Sequence, residues 1–169
     1  MNNQINEMVK ECKREEENCL YTSTTLYYYL KSLRFQKNCF IIIPIFLGGF
    51  SGIKILTESN FQFYKYIIAV CSLLAGILPT IYSSLKLDAK IEFIDNIAGQ
   101  YKVLQSMFRR LHNIYSKSDS FDLDFSNTIK ELENIKLKSI TPPDKFFKKA
   151  QKKIKIGDYD FKADITNNV

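Results

Sequence analysis

Apolar residues along this chain follow two patterns, a seven-residue recurrence on both flanks and a nearly uncharged block between them. Ile5, Cys12, Cys19, Leu26 and Leu33 recur every seventh residue, with Met8, Val9 and Leu30 near the intervening positions. Leu87, Ile94, Tyr101, Phe108 and Tyr115 repeat that spacing, with Ile91 and Ala98 at the offset of four. Such a repeat returns to one helix face every second turn, so each flank predicts a helix whose apolar seam needs a partner. The simplest arrangement continues each central helix into these extensions and packs the two as an antiparallel coil. Partners from other subunits would then fill the remaining faces.

The central block predicts a membrane hairpin. From Tyr66 to Leu85 runs YIIAVCSLLAGILPTIYSSL, twenty residues without a charge, bracketed by Lys65 and Lys86. At about 1.5 Å per residue this is about 30 Å, the thickness of a bilayer's hydrocarbon core. The earlier segment, CFIIIPIFLGGFSGIKIL from Cys39 to Leu56, holds a single charge, Lys54, near its end. A lysine so placed can extend its stem to the head groups, so this segment reads as a second span. Buried core helices of a soluble protein are the alternative, and the short polar turn TESNFQFYK between the segments favours the hairpin. Pro44 and Pro79 are expected to kink their helices, which membrane spans tolerate when neighbours satisfy the freed carbonyls.

Basic residues orient the hairpin. Lys31, Arg34 and Lys37 precede the first span, and Lys86 and Lys90 follow the second, whereas the turn has one lysine and one glutamate. Both termini are therefore expected on the cytoplasmic side of the inner membrane, with Ser59 to Gln62 outside. The first apolar run begins after 37 polar, charge-rich residues, too late for a cleavable signal peptide.

Inside the spans small residues are spaced for close helix contact. Gly48 and Gly52 form a G-x-x-x-G pair, and Ser72, Gly76 and Thr80 recur every fourth residue, with Ser83 extending the stripe. These faces are expected to pair the two helices of one hairpin. As an alternative they line a path between subunits. Lys54 has two readings as well, an interfacial anchor or one member of a charge ring at the mouth of an oligomeric pore.

After the long amphipathic segment, SDSFDLDFSNTIKELENIKLKSIT predicts a helix capped by Ser126 with Ile129, Leu132 and Ile135 on one face. Asp119, Asp122 and Asp124 lack the glycine and glutamate of a calcium loop and read as turn and cap residues. Thr141-Pro142-Pro143 then breaks the chain before a basic helix, DKFFKKAQKKIKI, which Gly157 ends. Lys145, Lys148, Lys149, Lys152 and Lys153 make this helix a candidate for a membrane surface or a partner, or else its apolar edge docks on the bundle.

The organisation is thus an N-terminal cytoplasmic helix (1–37), a hairpin (38–86, spans about 39–56 and 66–85), a cytoplasmic amphipathic helix (87–118), and C-terminal helices with a flexible tail (119–169). The fold class is an all-α membrane protein with long cytoplasmic extensions in a coiled-coil-like bundle.

Composition alone would hide this. Charged residues make up 25% and the mean hydropathy is −0.17, values suited to a soluble protein, because the flanks carry nearly all the charge. The net charge of +6 fits an anionic membrane surface, and nucleic acid lacks a recognised motif here. The four cysteines have no C-x-x-C spacing, His112 stands alone, and neither a catalytic triad nor a phosphate loop appears. No enzyme, cofactor, metal or small-molecule substrate is expected.

The whole pattern resembles the SLATT family, bacterial two-transmembrane effectors associated with SMODS and SLOG proteins in conflict and antiphage systems. The resembling stretch runs from Tyr28 to Tyr115, through YYYLKSLRFQKNCFIIIPIFLGGFSGIKIL and YIIAVCSLLAGILPTIYSSLKLDAKIEFIDNIAGQYKVLQSMFRRLHNIYS. It implies an effector that, on a signal from an upstream sensor encoded nearby, forms pores or otherwise breaches the inner membrane. A homo-oligomer held by the heptad stripes and the small-residue faces is expected, since one hairpin cannot enclose a path. A membrane-anchored scaffold or adaptor and an autonomous holin-like toxin are the alternatives.

Overall fold

The computed structural model describes residues 2–56, 62–114 and 120–157. They form five helices: α1 (Asn2–Leu56), α2 (Gln62–Ser84), α3 (Leu87–Asn113), α4 (Phe121–Lys138) and α5 (Asp144–Lys155). No strand occurs among the described residues, so the all-helical expectation holds. Residues 57–61 of the predicted turn (57–65), Tyr115, Asp119 and the tail from Asp158 lie outside the described residues.

The chain divides into two compact units, one of Met1–Leu30 with Phe93–Val169 and one of Lys31–Glu92. The first is an ordinary hydrophobic core. Cys12, Cys19, Leu26 and Leu30 of α1 are buried with Ile94, Ala98, Tyr101, Leu104 and Phe108 of α3, so the seven-residue seams are filled within one chain. Phe121, Leu132 and Ile135 of α4 and Phe146 and Ala150 of α5 complete the core. Those seams are closed inside the chain, and fully buried seam residues are not open to other subunits.

In the second unit the helices differ from their predicted course in two places, the first being that α2 begins at Gln62, inside the predicted turn TESNFQFYK. α1 continues without interruption from its polar part into the apolar segment, because nothing between Leu33 and Phe40 breaks a helix. α2 does not continue into α3. Lys86 has φ 46, and the Leu85 and Lys86 amides donate back to the carbonyls of Tyr82 and Ser83. A left-handed lysine costs roughly 1–2 kcal/mol. The Ser84 hydroxyl, bonded to the Thr80 carbonyl at 2.9 Å, competes with the backbone there, and α3 begins at once with the Lys90 amide on the Lys86 carbonyl.

Among the described residues one helix, over Lys65–Ser84, is long and apolar enough to cross a membrane, and none of it is buried in the chain. A core helix of a soluble protein would be mostly covered. Here Val70, Leu73, Leu74, Ile77 and Ile81 of α2, and Ile41, Ile42, Ile43, Ile45 and Phe46 of α1, expose 42–73% of their surface. Soluble monomers rarely present so continuous an apolar surface.

Two C-terminal expectations resolve differently. Ser126 lies inside α4 and is exposed, while Ser120 precedes the helix and its hydroxyl donates to the Asp124 carboxylate at 2.9 Å. The acidic first turn carried by Asp122 and Asp124 starts the helix earlier than the apolar periodicity suggests. α5 runs as predicted from the residue after Pro143, and Gly157, at φ 85, closes it by donating to the Ile154 carbonyl at 3.0 Å.

Candidate functional site

Gly48, Gly52, Ser72, Gly76, Thr80 and Ser83 are all exposed in the single chain. Among the described residues a methyl group built on Gly48, Gly52 or Gly76 would meet nothing within 4 Å. Ser51 is buried and its hydroxyl donates to the Leu47 carbonyl of its own helix at 2.8 Å, while the Phe40 ring of α1 lies 6.3 Å from the Tyr82 ring of α2. Lys54 belongs to α1, but its side chain lies outside the described residues.

A polar clasp sits beyond the apolar stretch of the same unit. The Lys37 ammonium lies 2.6 Å from the Asp88 carboxylate, to which the Tyr82 hydroxyl also donates. The hydrogen bond from Lys37, then that from Tyr82, holds the Asp88 carboxyl below the usual carboxylate range, and the bond to Asp88 raises Lys37. The Asp88 contribution is therefore present above the ordinary carboxylate value and lost as pH falls through the depressed one. The Lys37 contribution is present below the ordinary lysine value and lost as pH rises through the raised one. Lys37→Met should move the Asp88 titration, followed by carboxyl NMR, upward to the ordinary range, and Tyr82→Phe should move it by less. Sequence reasoning counted Lys37 only as an orienting charge; its pairing with Asp88 spans 51 residues and left no local signal.

In the first unit a charge cluster borders the core. His112 Nε2 lies 2.6 Å from Glu16 Oε2, Arg109 Nε lies 4.0 Å from Glu16 Oε1, and Lys136 Nζ lies 3.4 Å from Glu15 Oε2. His112 Nδ1 is buried and has no partner among the described residues. Glu15 is only 8% exposed, and a carboxylate so covered stays folded in when a cation faces it. One clue was present in the sequence: Glu15 lies three residues after Cys12 and four before Cys19, on their face. Burial pushes the Cys12 thiol up to about 11 and Cys19 up to about 12, with Glu11 and Glu15 adding to the respective effects, so both stay protonated and unreactive at neutral pH. Glu16→Ala, which strips His112 and Arg109 of their shared partner, should destabilise the fold by about 1–2 kcal/mol in a denaturant melt. Removing Glu11, the half-buried partner of the exposed Arg14, should change it by less than about 0.5 kcal/mol.

α5 docks by its apolar edge. Phe146 stacks obliquely on Tyr29 at 5.2 Å and Phe147 on Tyr21 at 6.2 Å, while Lys145 lies over the Phe146 ring at 5.0 Å. With that edge against α1, the lysines face outward: Lys145, Lys148, Lys149 and Lys152 are exposed and Lys153 is half-buried. Beside them a groove of about 410 Å³ is lined by Tyr28, Lys149, Lys152, Lys153 and Ile156. A second groove, of about 380 Å³ between α3 and α4, mixes Arg110 with Asp124 and Glu131.

Among the described residues no group of three His, Cys, Asp or Glu side chains is placed to hold a metal. The nearest approach to reactive chemistry among the described residues is the His112–Glu16 pair. No protein family, curated protein or solved structure matches this chain.

Proposed function

We propose that the protein is a non-enzymatic effector of the inner membrane, with spans at about 39–56 and 66–85 and both termini in the cytoplasm. Several copies assemble through the small-residue faces, and assembly opens a pore or otherwise disrupts the bilayer once a sensor protein encoded nearby delivers its signal. The observation that carries this reading is the open state of Gly48, Gly52 and Gly76 amid exposed isoleucine and leucine side chains. In a bilayer the apolar side chains meet lipid, and glycine stripes with nothing against them admit the backbone of another helix. The core unit supplies a folded cytoplasmic body for receiving a signal. The likeness to SLATT proteins in the Tyr28–Tyr115 stretch agrees with this division of labour.

Lys54 then lies toward the outer end of the first span, as an anchor or as part of a charge ring at a pore mouth. Glutamate in its place would shift conductance toward cations in the ring arrangement and leave selectivity unchanged in the anchor arrangement.

The test is induction of the protein alone and together with its genomic neighbours under a trigger such as phage infection, with membrane depolarisation as the readout. A gated effector is silent alone and depolarises the membrane only with partners and trigger. Harmlessness under every condition marks a scaffold, and depolarisation by the protein alone marks an autonomous toxin. Labelling of Ser59→Cys but not Asn3→Cys in intact cells checks the orientation.

A further inference from the structure

The basic helix carries more than a solvated charge face. Lys149, Lys152 and Lys153 stand at spacings of three and four along α5, so their stems leave one side of the helix and converge on the same groove. Three ammonium groups held this close repel one another. Among the described residues neither Lys149 nor Lys152 forms an ion pair that would offset the repulsion. The groove is lined as well by Tyr28 of α1, a residue whose hydroxyl can donate to an anion, and by the apolar Ile156.

The helix itself adds nothing to anion affinity at this point. These lysines lie in its last turns, where the carbonyl ends point out and the dipole favours cations. The anion preference therefore comes from the side chains. An ammonium binds as a compact point charge with three donors, well suited to the several oxygens of a phosphate, whereas planar carboxylates favour the forked guanidinium that this groove lacks. Its volume, about 410 Å³, suits a phosphate with a small organic group and is ample for the phosphate alone.

We propose that the groove between α5 and Tyr28 is a phosphate-binding site, in which Lys149, Lys152 and Lys153 neutralise the phosphate oxygens, Tyr28 donates a hydrogen bond and Ile156 covers the ester group. The phosphate comes either from an anionic lipid head group or from a free phosphate. The lipid source rests on the membrane reading above; the free source does not.

The full chain is tested by limited acetylation of its lysines, read residue by residue by mass spectrometry. One arm compares nanodiscs of phosphatidylcholine with nanodiscs in which a third of the lipid is phosphatidylglycerol. The other adds inorganic phosphate, against chloride of equal ionic strength, to the protein in neutral detergent. Lys149, Lys152 and Lys153 should become about three- to tenfold slower to react in at least one arm, while Lys145 and Lys148 on the same helix change by less than about twofold. Protection confined to phosphatidylglycerol identifies a head group, and protection by inorganic phosphate identifies a free phosphate. Tyr28→Phe should reduce the protection, and Lys149→Gln with Lys152→Gln should remove it from Lys153. No protection in either arm, or equal protection of Lys145 and Lys148, overturns the site. Failure of the chain to enter nanodiscs counts against the membrane reading alone, because the detergent arm still decides whether phosphate binds.

Discussion

Gly48→Ile combined with Gly52→Ile is expected to leave the individual chain folded and to abolish its assembly. The usual outcome of placing a branched side chain on a helix glycine is a clash with the neighbouring helix. Here an added Cβ meets nothing within 4 Å among the described residues at either position, so the monomer is expected to keep its stability. Isoleucine is also tolerated by a helix in lipid, at little propensity cost to the span. What it prevents is the close approach of a second helix, which small residues alone permit. The expected weakening is at least about tenfold per interface, roughly 1.4 kcal/mol, and it multiplies around a closed ring. Cross-linking in native membranes should show the loss of oligomer, triggered depolarisation should fall to the uninduced level, and helical content should stay that of the parent. An oligomer of unchanged size in the double variant would place the interface elsewhere and remove the small-residue faces from the proposal.

Leu74→Arg should separate a membrane span from an exposed soluble helix by a still larger margin. Leu74 lies at the middle of the Lys65–Ser84 helix and exposes 43% of its surface. In lipid, exchanging leucine for arginine at mid-span costs about 3–4 kcal/mol on insertion scales, a factor of several hundred. In water the same exchange at an exposed site would be nearly neutral and would improve solubility. Extraction at high pH should accordingly leave the parent in the membrane fraction and release most of the variant. Leu123→Arg is the control, since Leu123 is exposed on α4 of the core unit and its change should leave the fractionation as it was. Retention of the Leu74 variant in the membrane would argue against α2 as a span.

Much of the architecture was legible in the order of residues, because the information was local. The helix start at Pro143 and its end at Gly157 follow from residues that restrict or free the backbone within one turn. The seams of Cys12, Cys19 and Leu26 and of Ile94, Tyr101 and Phe108 follow from a repeat that depends only on helix geometry. Local cues also misled where two of them competed. Ser126 stands just before an apolar run and reads as a cap, yet the acidic turn at Asp122 and Asp124 and the burial of Phe121 start α4 earlier. The break at Lys86 had no glycine or proline to announce it, and the paired serines before it were the only hint.

The sequence by itself determined which stretches are helical and which are apolar, since periodicity, uncharged length and backbone restriction act over a few residues. Tertiary structure alone decided what each face does. The same rule that marks a seven-residue seam is silent on whether its partner is in this chain or another, and here the chain fills the seam itself. Small-residue stripes look alike whether packed or open, and only the three-dimensional arrangement leaves Gly48, Gly52 and Gly76 uncovered. Glu15 meets Lys136 and Glu16 meets His112 across about a hundred residues. Tyr28 likewise joins Lys149 and Lys152 only once α5 has docked on α1. Such encounters cost chain entropy to bring together and depend on the whole core being formed, so no window of sequence contains them.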